Sequence, residues 1–249
     1  MILKTPQEIA IMRENGQKLD LIKKELKKLI VPGAVPLEID KVAEKLILEA
    51  GGTPSFKMVR DYRWTTCINI KDGVVHGIPD KRPFLEGDIV SLDIGMFYKG
   101  FHSDSAFTVP VGKIPVETQK FLEAGRRTLK ECIKQAKIGK NITDISRTMQ
   151  KELEKDGYSP VRDLTGHGVG RELHEKPFIP CYWDPIRHPS IKIEEGAVLA
   201  IEVIYCLGSY ELQLSREDNW TISTKDGKIA ALFEETVAVT KSGPEVLTS

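Results

Sequence analysis

The sequence has few cysteines, and their spacing argues against two common classes of site. Four cysteines stand at wide intervals in 249 residues: Cys67, Cys132, Cys181 and Cys206. No two of them form a C-x-x-C pair, so neither a disulfide framework nor a structural zinc site is expected. Reduced thiols in a cytoplasmic protein fit this pattern better.

The sequence also lacks a long apolar run and an excess of charge. No segment approaches the roughly 18 apolar residues of a membrane helix, and the first residues lack the basic-then-apolar plan of a secretory signal. Lys and Arg number 36, as do Asp and Glu, so the formal net charge is zero. We therefore expect a soluble protein, with neither a membrane nor nucleic acid as its main partner.

The order helix, helix, strands occurs twice along the chain. The first helix is predicted to begin at Thr5, because Pro follows and Glu8 stands three residues later, as in a capping box. The same plan restarts after Gly112, which gives half-units of about 1–112 and 113–249 within one catalytic domain. Helices grouped beside strands, without βαβ alternation, indicate an α+β fold with one mixed or antiparallel sheet.

A short repeated sequence pattern supports this duplication. Glu86-Gly87 precedes a β-rich run with Asp93 seven residues after Glu86, and Glu195-Gly196 precedes a similar run with Glu202 seven residues after Glu195. Each half thus delivers a carboxylate to the same place in its strand. Glu-Gly before a strand is also common turn chemistry, so this pattern alone is weak support.

A predicted hairpin brings Asp93 and Asp104 together. A turn at Tyr98-Lys99 would place them directly opposite each other, with Cβ atoms about 5 Å apart, whereas a turn at Lys99-Gly100 would make them diagonal neighbours. Like charges on apolar strands are unfavourable unless a cation neutralises them, and carboxylate oxygens suit divalent metals. Two exposed acids on an edge hairpin are the alternative interpretation.

Glu202 and Glu234 each interrupt an apolar strand, in Leu-Ala-Ile-Glu-Val-Ile and Leu-Phe-Glu-Glu-Thr. Buried glutamates are uncommon unless they are paired or bind a metal. Either one alone could form a structural ion pair with Lys or Arg. Together with the aspartate hairpin, they favour a metal site.

Three of the five histidines stand in unusual settings. His167 lies within Gly-His-Gly-Val-Gly, His174 follows it by seven residues, and His76 ends an apolar strand at a loop position where catalytic residues often lie. His102 and His188 stand in ordinary settings, and we interpret them as satisfied side chains.

These residues resemble, in order, those of the methionine aminopeptidases, in the bacterial-like type I form. The matching segments cover nearly the whole chain: His76 in His-Gly-Ile-Pro, Asp93, Asp104 in Gly-Phe-His-Ser-Asp, His167 in Gly-His-Gly-Val-Gly, His174 in Leu-His-Glu, Glu202 in Ala-Ile-Glu and Glu234 in Phe-Glu-Glu-Thr. The resemblance implies the "pita-bread" fold, in which two related halves surround a curved antiparallel sheet, and the removal of N-terminal methionine by a water that two metal ions activate.

The resemblance also implies a role for each of these residues. The ligands of two divalent ions (Co, Mn, Fe or Zn) would be Asp93, Asp104, His167, Glu202 and Glu234, with Asp104 and Glu234 bridging. Glu202 would double as the general base. His174 would donate to the developing oxyanion, and His76 would hold or protonate the scissile amide nitrogen.

The resemblance suggests a methionine pocket formed by Tyr62, Cys67 and Trp220, with Phe56 as a further candidate; ordinary core packing is the alternative. It further suggests a monomer that acts on nascent chains near the ribosome exit.

Three positions depart from the family pattern. Val203 stands where Pro is usual, Glu235 where His is usual, and Lys71-Asp72 where Asn-Glu is expected. None of them removes a predicted ligand. Lys71 puts an auxiliary monovalent-cation site in question, and Glu235 should point away from the strand face that carries Glu234.

Two other functions compete with this one. The same fold serves X-Pro aminopeptidases and prolidases, but those usually carry an additional N-terminal domain. A non-catalytic protein of this fold that binds ribosomes or other proteins would typically lack some of the ligands.

Overall fold

The computed structural model describes residues 1–249, and its first helix begins as the sequence predicts. The Thr5 side chain accepts a hydrogen bond from the Glu8 backbone N–H at 3.3 Å, and the Glu8 carboxylate accepts one from the Thr5 N–H at 2.7 Å. These two bonds satisfy N–H groups that the first helical turn leaves free. The four helices are α1 (Pro6–Lys28), α2 (Pro36–Glu49), α3 (Val116–Ile133) and α4 (Ile142–Glu154).

The strands form one large and one small sheet, and all their pairings are antiparallel. In chain order they are β1 (Thr53–Pro54), β2 (Thr66–Ile70), β3 (Gly73–Val75), β4 (Ile89–Tyr98), β5 (Phe101–Pro110), β6 (Ser159–Pro160), β7 (Thr165–Gly168), β8 (Glu175–Pro180), β9 (Val198–Cys206), β10 (Leu212–Leu214), β11 (Ile222–Thr224), β12 (Ala230–Thr240) and β13 (Gly243–Val246). The predicted α+β class is confirmed, and the sheet is antiparallel rather than mixed.

The large sheet has ten strands, and its main path runs β1-β4-β5-β12-β9-β7-β8. Strands β2, β6 and β13 attach to β4, β9 and β12, while β10, β11 and β3 form the small sheet. The two halves of the chain meet where β5 pairs with β12, through the register pair Ala106 and Glu234. The centre of the sheet therefore combines residues that lie far apart in sequence.

Each half has its own buried core beneath its pair of helices. Leu19 and Leu26 of α1 and Ile47 of α2 belong to one cluster with β4, and Phe121 of α3 and Met149 of α4 belong to another with β9 and β12. This arrangement agrees with the duplicated plan. The division into half-units at residues 112 and 113 stays a prediction. No helix is long and apolar enough to cross a membrane.

Candidate metal centre

The hairpin of β4 and β5 sets the positions of the two aspartates. Tyr98 pairs with Phe101, so the turn is Lys99-Gly100, and Asp93 pairs with Ala106 while Asp104 pairs with Gly95. The first alternative, with the aspartates directly opposed, is therefore wrong, and they are diagonal neighbours. Lys99 and Gly100 have φ angles of 49° and 89°. A two-residue hairpin needs such positive φ angles, which glycine adopts easily and a tyrosine does not.

Five adjacent strands each contribute one candidate ligand. Strands β4, β5, β12, β9 and β7 are consecutive neighbours in the sheet and carry, in that order, Asp93, Asp104, Glu234, Glu202 and His167. Glu202 and Glu234 are direct cross-strand partners. His167 pairs with Ala200, two positions before Glu202 on the same strand. Since side chains alternate between the two faces of a strand, this register directs all five to one side.

All five side chains line one cavity of about 300 Å³. One potential ligand atom from each of Asp104, His167 and Glu234 lies within 4.8 Å of the others. The Nε2 atom of His167 is 3.5 Å from Oε1 of Glu202 and 3.8 Å from Oδ2 of Asp104. Asp93 lines the same cavity, on the strand next to that of Asp104.

The carboxylates lack the partners that buried acids normally have. Asp93, Asp104 and Glu234 each keep a buried oxygen without a hydrogen-bond partner. No Lys or Arg side chain lies within 4.0 Å of any of the four acids. The only basic side chain at that distance is His167, which lies near Asp104 and Glu202. Buried, unpaired carboxylates are costly unless they bind a cation, and four carboxylates with one imidazole suit a divalent transition metal. The donor set therefore fits a divalent metal site.

Burial and mutual repulsion shift the ionisation of the acids. Burial raises the pKa of Asp93 to about 7. It raises the pKa values of Asp104, Glu202 and Glu234 well above their ordinary range, and neighbouring carboxylates raise them further. These shifts favour a bound proton, or a metal ion in its place.

His167 is held as a neutral ring that faces the acids. Its Nδ1 donates to the Gly168 carbonyl oxygen at 2.9 Å, which leaves the Nε2 lone pair directed at the carboxylates. Burial lowers the pKa of His167 to about 3, and the nearby His174 is the second cause of this shift. A neutral imidazole whose other nitrogen donates to a carbonyl is a common arrangement of metal ligands.

His76 and His174 stand at the edge of the acid cluster. The rings of His174 and His167 are 4.5 Å apart, and the rings of His76 and Trp220 are 6.5 Å apart. Burial lowers the pKa of both His76 and His174, so both are neutral near pH 7. His76 has a φ of 58°, a conformation that costs energy in a non-glycine residue and is often found at functional sites.

The four residues suggested for a methionine pocket lie on the wall of the same cavity. They are Phe56, Tyr62, Cys67 and Trp220. The Tyr62 hydroxyl donates to the Thr66 carbonyl at 2.9 Å and lies 3.2 Å from the Cys67 sulfur. The rings of Tyr62 and Trp220 meet edge to face at 5.1 Å.

Several other residues of this wall were not predicted from the sequence. Val59, Leu173, Phe178, Asp163 and Leu164 also line the cavity. Phe178 gives the clearest signal, because it occupies an outward position of β8 and is 52% exposed. Leu173 directly precedes His174, but nothing in its local sequence distinguishes it from a core leucine. His102 and His188 lie outside the cavity.

The three departures lie outside the acid cluster. The Lys71 ammonium is 2.9 Å from Asp88, and Val203 is fully buried in the core. The Glu235 carboxylate contacts Lys23, Ser105 and Thr248. Glu235 therefore points away from Glu234 and takes no part in the cluster.

Comparison with known proteins identifies the class. A family model described as "Metallopeptidase family M24" matches residues 10–241, so the chain belongs to this family of metallopeptidases. Within the family, it is 43% identical over 248 residues to methionine aminopeptidase 1 of Bacillus subtilis, covering 100% of this chain and 99% of that protein. The resemblance to type I methionine aminopeptidases is thus confirmed.

Solved structures support the same fold. The methionine aminopeptidase of Thermotoga maritima superposes with a TM-score of 0.96 at 36% identity, covering 100% of this chain and 99% of that one. The prolidase of Pyrococcus furiosus gives a TM-score of 0.80 at 24% identity, and the match covers 100% of this chain but 65% of that one. The second likeness concerns the fold alone. The pita-bread prediction is confirmed.

Proposed function

We propose that the protein is a metal-dependent aminopeptidase that removes the N-terminal methionine from nascent proteins and peptides. The observation that carries this proposal is a single cavity that contains both a largely buried acid cluster and an apolar wall with a thiol and aromatic rings. Membership of a metallopeptidase family and close similarity to methionine aminopeptidases support it.

The acid cluster would hold two divalent ions, of Co, Mn, Fe or Zn. The five side chains that would hold them are Asp93, Asp104, His167, Glu202 and Glu234. Their partnerless buried oxygens and close spacing support this assignment. Bound divalent ions would supply Lewis-acid chemistry, since they polarise a carbonyl and lower the pKa of water.

Three side chains would handle protons around the scissile bond. Glu202 would accept the proton of the attacking water, because its carboxylate lines the cavity beside the other proposed ligands. His174 would donate to the carbonyl oxygen as negative charge develops there. His76 would hold or protonate the amide nitrogen of the leaving peptide. Both histidines are neutral rings near pH 7, so each can donate one N–H.

Tyr62, Cys67 and Trp220 would bind the methionine side chain. A thioether packs well against aromatic edges and against another sulfur. Burial keeps the Cys67 thiol protonated at neutral pH, because it raises the thiol pKa well above its ordinary value. The free α-amine would lie near Asp93, which would confine cleavage to the first residue.

The same resemblance supports a single catalytic domain and a monomeric protein. It also supports a cytoplasmic location and work on nascent chains close to the ribosome.

A substrate panel tests the proposal. EDTA-stripped protein is incubated with Met-Ala-Ser, Ala-Pro-Ser or Gly-Pro, with and without added Mn²⁺ or Co²⁺. We expect release of methionine from the first peptide alone, and only when metal is present. Cleavage restricted to the bonds before proline would indicate an X-Pro peptidase instead. Metal binding without cleavage of any substrate would favour the non-catalytic function.

A further inference from the structure

A buried ion pair joins the N-terminal segment to the residue that follows His174. The Lys4 ammonium is 2.5 Å from Oε2 of Glu175, and the two side chains are 1% and 2% exposed. No other lysine–carboxylate pair in the protein is so deeply buried. Neither residue lines the catalytic cavity.

Glu175 shapes the turn that carries His174. This turn connects β7 and β8. The pairing of the two strands ends at Gly168 and Glu175, so residues 169–174 between them form no β-sheet pairs with each other. The second carboxylate oxygen of Glu175 accepts the backbone N–H of Arg171 at 2.9 Å and lies 3.4 Å from that of Glu172. The carboxylate thus closes the turn upon itself, with His174 immediately before it.

Lys4 is itself fixed in place. Its backbone N–H donates to the Gly196 carbonyl at 2.8 Å, and its ammonium also donates to the Ile2 carbonyl at 3.0 Å. A Cβ atom on Gly170 would collide with Lys4 and Glu175, so this glycine leaves room for the pair. A second link, from Arg171 to Glu8, joins the same turn to the start of α1.

We infer that Lys4 is a positioning residue for catalysis: through Glu175, it fixes the turn that places the His174 ring over the cavity. The inference rests on the role proposed above for His174. Without Lys4, the Glu175 carboxylate would be buried and unpaired, a state that proteins relieve by rearrangement or by admitting water. A displacement of about 1 Å in a catalytic group can cost roughly 10²-fold in rate.

The variant Lys4→Met keeps the apolar stem and removes the charge. We expect kcat for Met-Ala-Ser to fall by about 10- to 100-fold. The KM should stay nearly constant, because the pocket wall does not contact Lys4. The affinity for Mn²⁺ should also stay unchanged, because Lys4 touches none of the five proposed ligands.

A double-variant cycle separates positioning from general destabilisation. If Lys4 acts through His174, adding Lys4→Met to His174→Ala should cause no further loss of kcat. Arg13→Met is the matched control, because it removes an ion pair of α1 with Glu245 that involves neither Glu175 nor the turn. It should leave kcat unchanged. If Lys4→Met does not fold, Lys4→Gln is measured in its place. We then expect kcat to fall in the same sense but by less, because the Gln amide removes the charge and retains a neutral donor.

Several results would overturn the inference. They are a wild-type kcat in the Lys4 variant, losses that multiply in the double variant, or a loss of metal affinity that parallels the loss of rate. Failure of the underlying role would look different. In that case His174→Ala would have the wild-type kcat. If His174→Ala has a reduced kcat while the Lys4 variant keeps the wild-type kcat, the proposed role of His174 stands and only the positioning role of Lys4 is contradicted.

Discussion

At the scale of single residues, Asp104 lies in an environment that is unfavourable for a carboxylate without a bound cation. It is 4% exposed and keeps one buried oxygen without a partner. Its neighbours include Asp93, Glu202 and His167. Its backbone is fixed on both sides, because Thr236 donates to its carbonyl at 2.7 Å and accepts from its N–H at 3.0 Å. Such a rigid, uncompensated carboxylate is suited to binding a cation.

Asp104→Asn tests this role while preserving side-chain shape. We expect turnover of Met-Ala-Ser to become undetectable, with Mn²⁺ affinity reduced by more than the 10- to 100-fold typical of outer-shell changes. Calorimetric titration measures the affinity. Asp20→Asn is the control, because Asp20 is also buried but pairs with Lys24 outside the cavity. Near wild-type activity in Asp104→Asn would show that this carboxylate is no ligand.

His174→Ala tests the proposed oxyanion donor. We expect kcat to fall by about 10²- to 10³-fold, as when an oxyanion-hole donor is lost. Metal content, measured by atomic absorption after dialysis, should stay at the wild-type level. Loss of metal would make His174 a ligand instead.

The site residues differ in how much their local sequence discloses. Glu202 and Glu234 could be predicted because an acid inside an apolar strand is costly and therefore conspicuous. The relative placement of Asp93 and Asp104 could not be predicted, because it depends on which two residues form the turn. A shift of the turn by one residue changes which residues are paired across the hairpin. Phe178 and Leu173 were missed because apolar residues give the same pattern whether they line a cavity or a core.

At the scale of elements, the two faces of β12 carry glutamates with different surroundings. Glu234 faces the acid cluster, whereas Glu235 meets the Lys23 ammonium at 2.9 Å and the Ser105 hydroxyl at 3.1 Å on the other face. The same lysine donates to the Thr248 carbonyl at 2.8 Å. This contact network joins α1, β5, β12 and the end of the chain behind the metal centre.

Lys23→Met should destabilise the fold. The Lys23 and Glu235 side chains are 11% and 18% exposed, so removing the lysine leaves a largely buried carboxylate unpaired. We expect the free energy of unfolding to fall by about 2–3 kcal/mol, measured by urea denaturation of the metal-free protein. Lys28→Met, which removes an exposed pair with Glu25, should change it by less than about 0.5 kcal/mol. Equal stabilities for the two variants would contradict this account of the network.

The elements were predictable where the signal is local. The start of α1 follows from Thr5, Pro6 and Glu8, whose contacts span three residues. The insertion of β12 between β5 and β9 is instead a long-range pairing that no local pattern encodes. The small sheet of β10, β11 and β3 was also not predicted, because two of its strands are short and only partly buried.

At the scale of the whole molecule, the acid cluster couples stability to pH and to metal. A carboxyl group whose pKa is raised on folding stabilises the fold at low pH, and this contribution is lost as pH rises through the folded pKa. For Asp93 the loss runs from about pH 4 to about 7. Burial raises the pKa values of Asp104, Glu202 and Glu234 as well, so these three groups act in the same sense. Buried histidines act in the opposite sense, but their contribution is complete above their ordinary pKa of about 6.5.

The stabilisation that Mn²⁺ gives the protein should therefore grow as pH rises from about 4 to about 7. We expect the Tm difference between the Mn²⁺-saturated and the metal-free protein to widen across this range, because the ion replaces protons that the acids bind more weakly at higher pH. Differential scanning calorimetry of both forms measures the contrast. A Tm difference that is constant or narrows as pH rises would contradict the pKa shifts described for the cluster.

The most direct test of the central claim, that the buried acid cluster is the metal centre of a methionine-releasing enzyme, is a metal titration of activity. Metal-stripped wild-type protein and Asp104→Asn receive increasing Mn²⁺, and methionine release from Met-Ala-Ser is measured at each step. We predict that wild-type activity rises from zero and saturates as the two proposed sites fill, while the variant stays inactive throughout. Full activity without added metal, or equal activation of the variant, would contradict the claim.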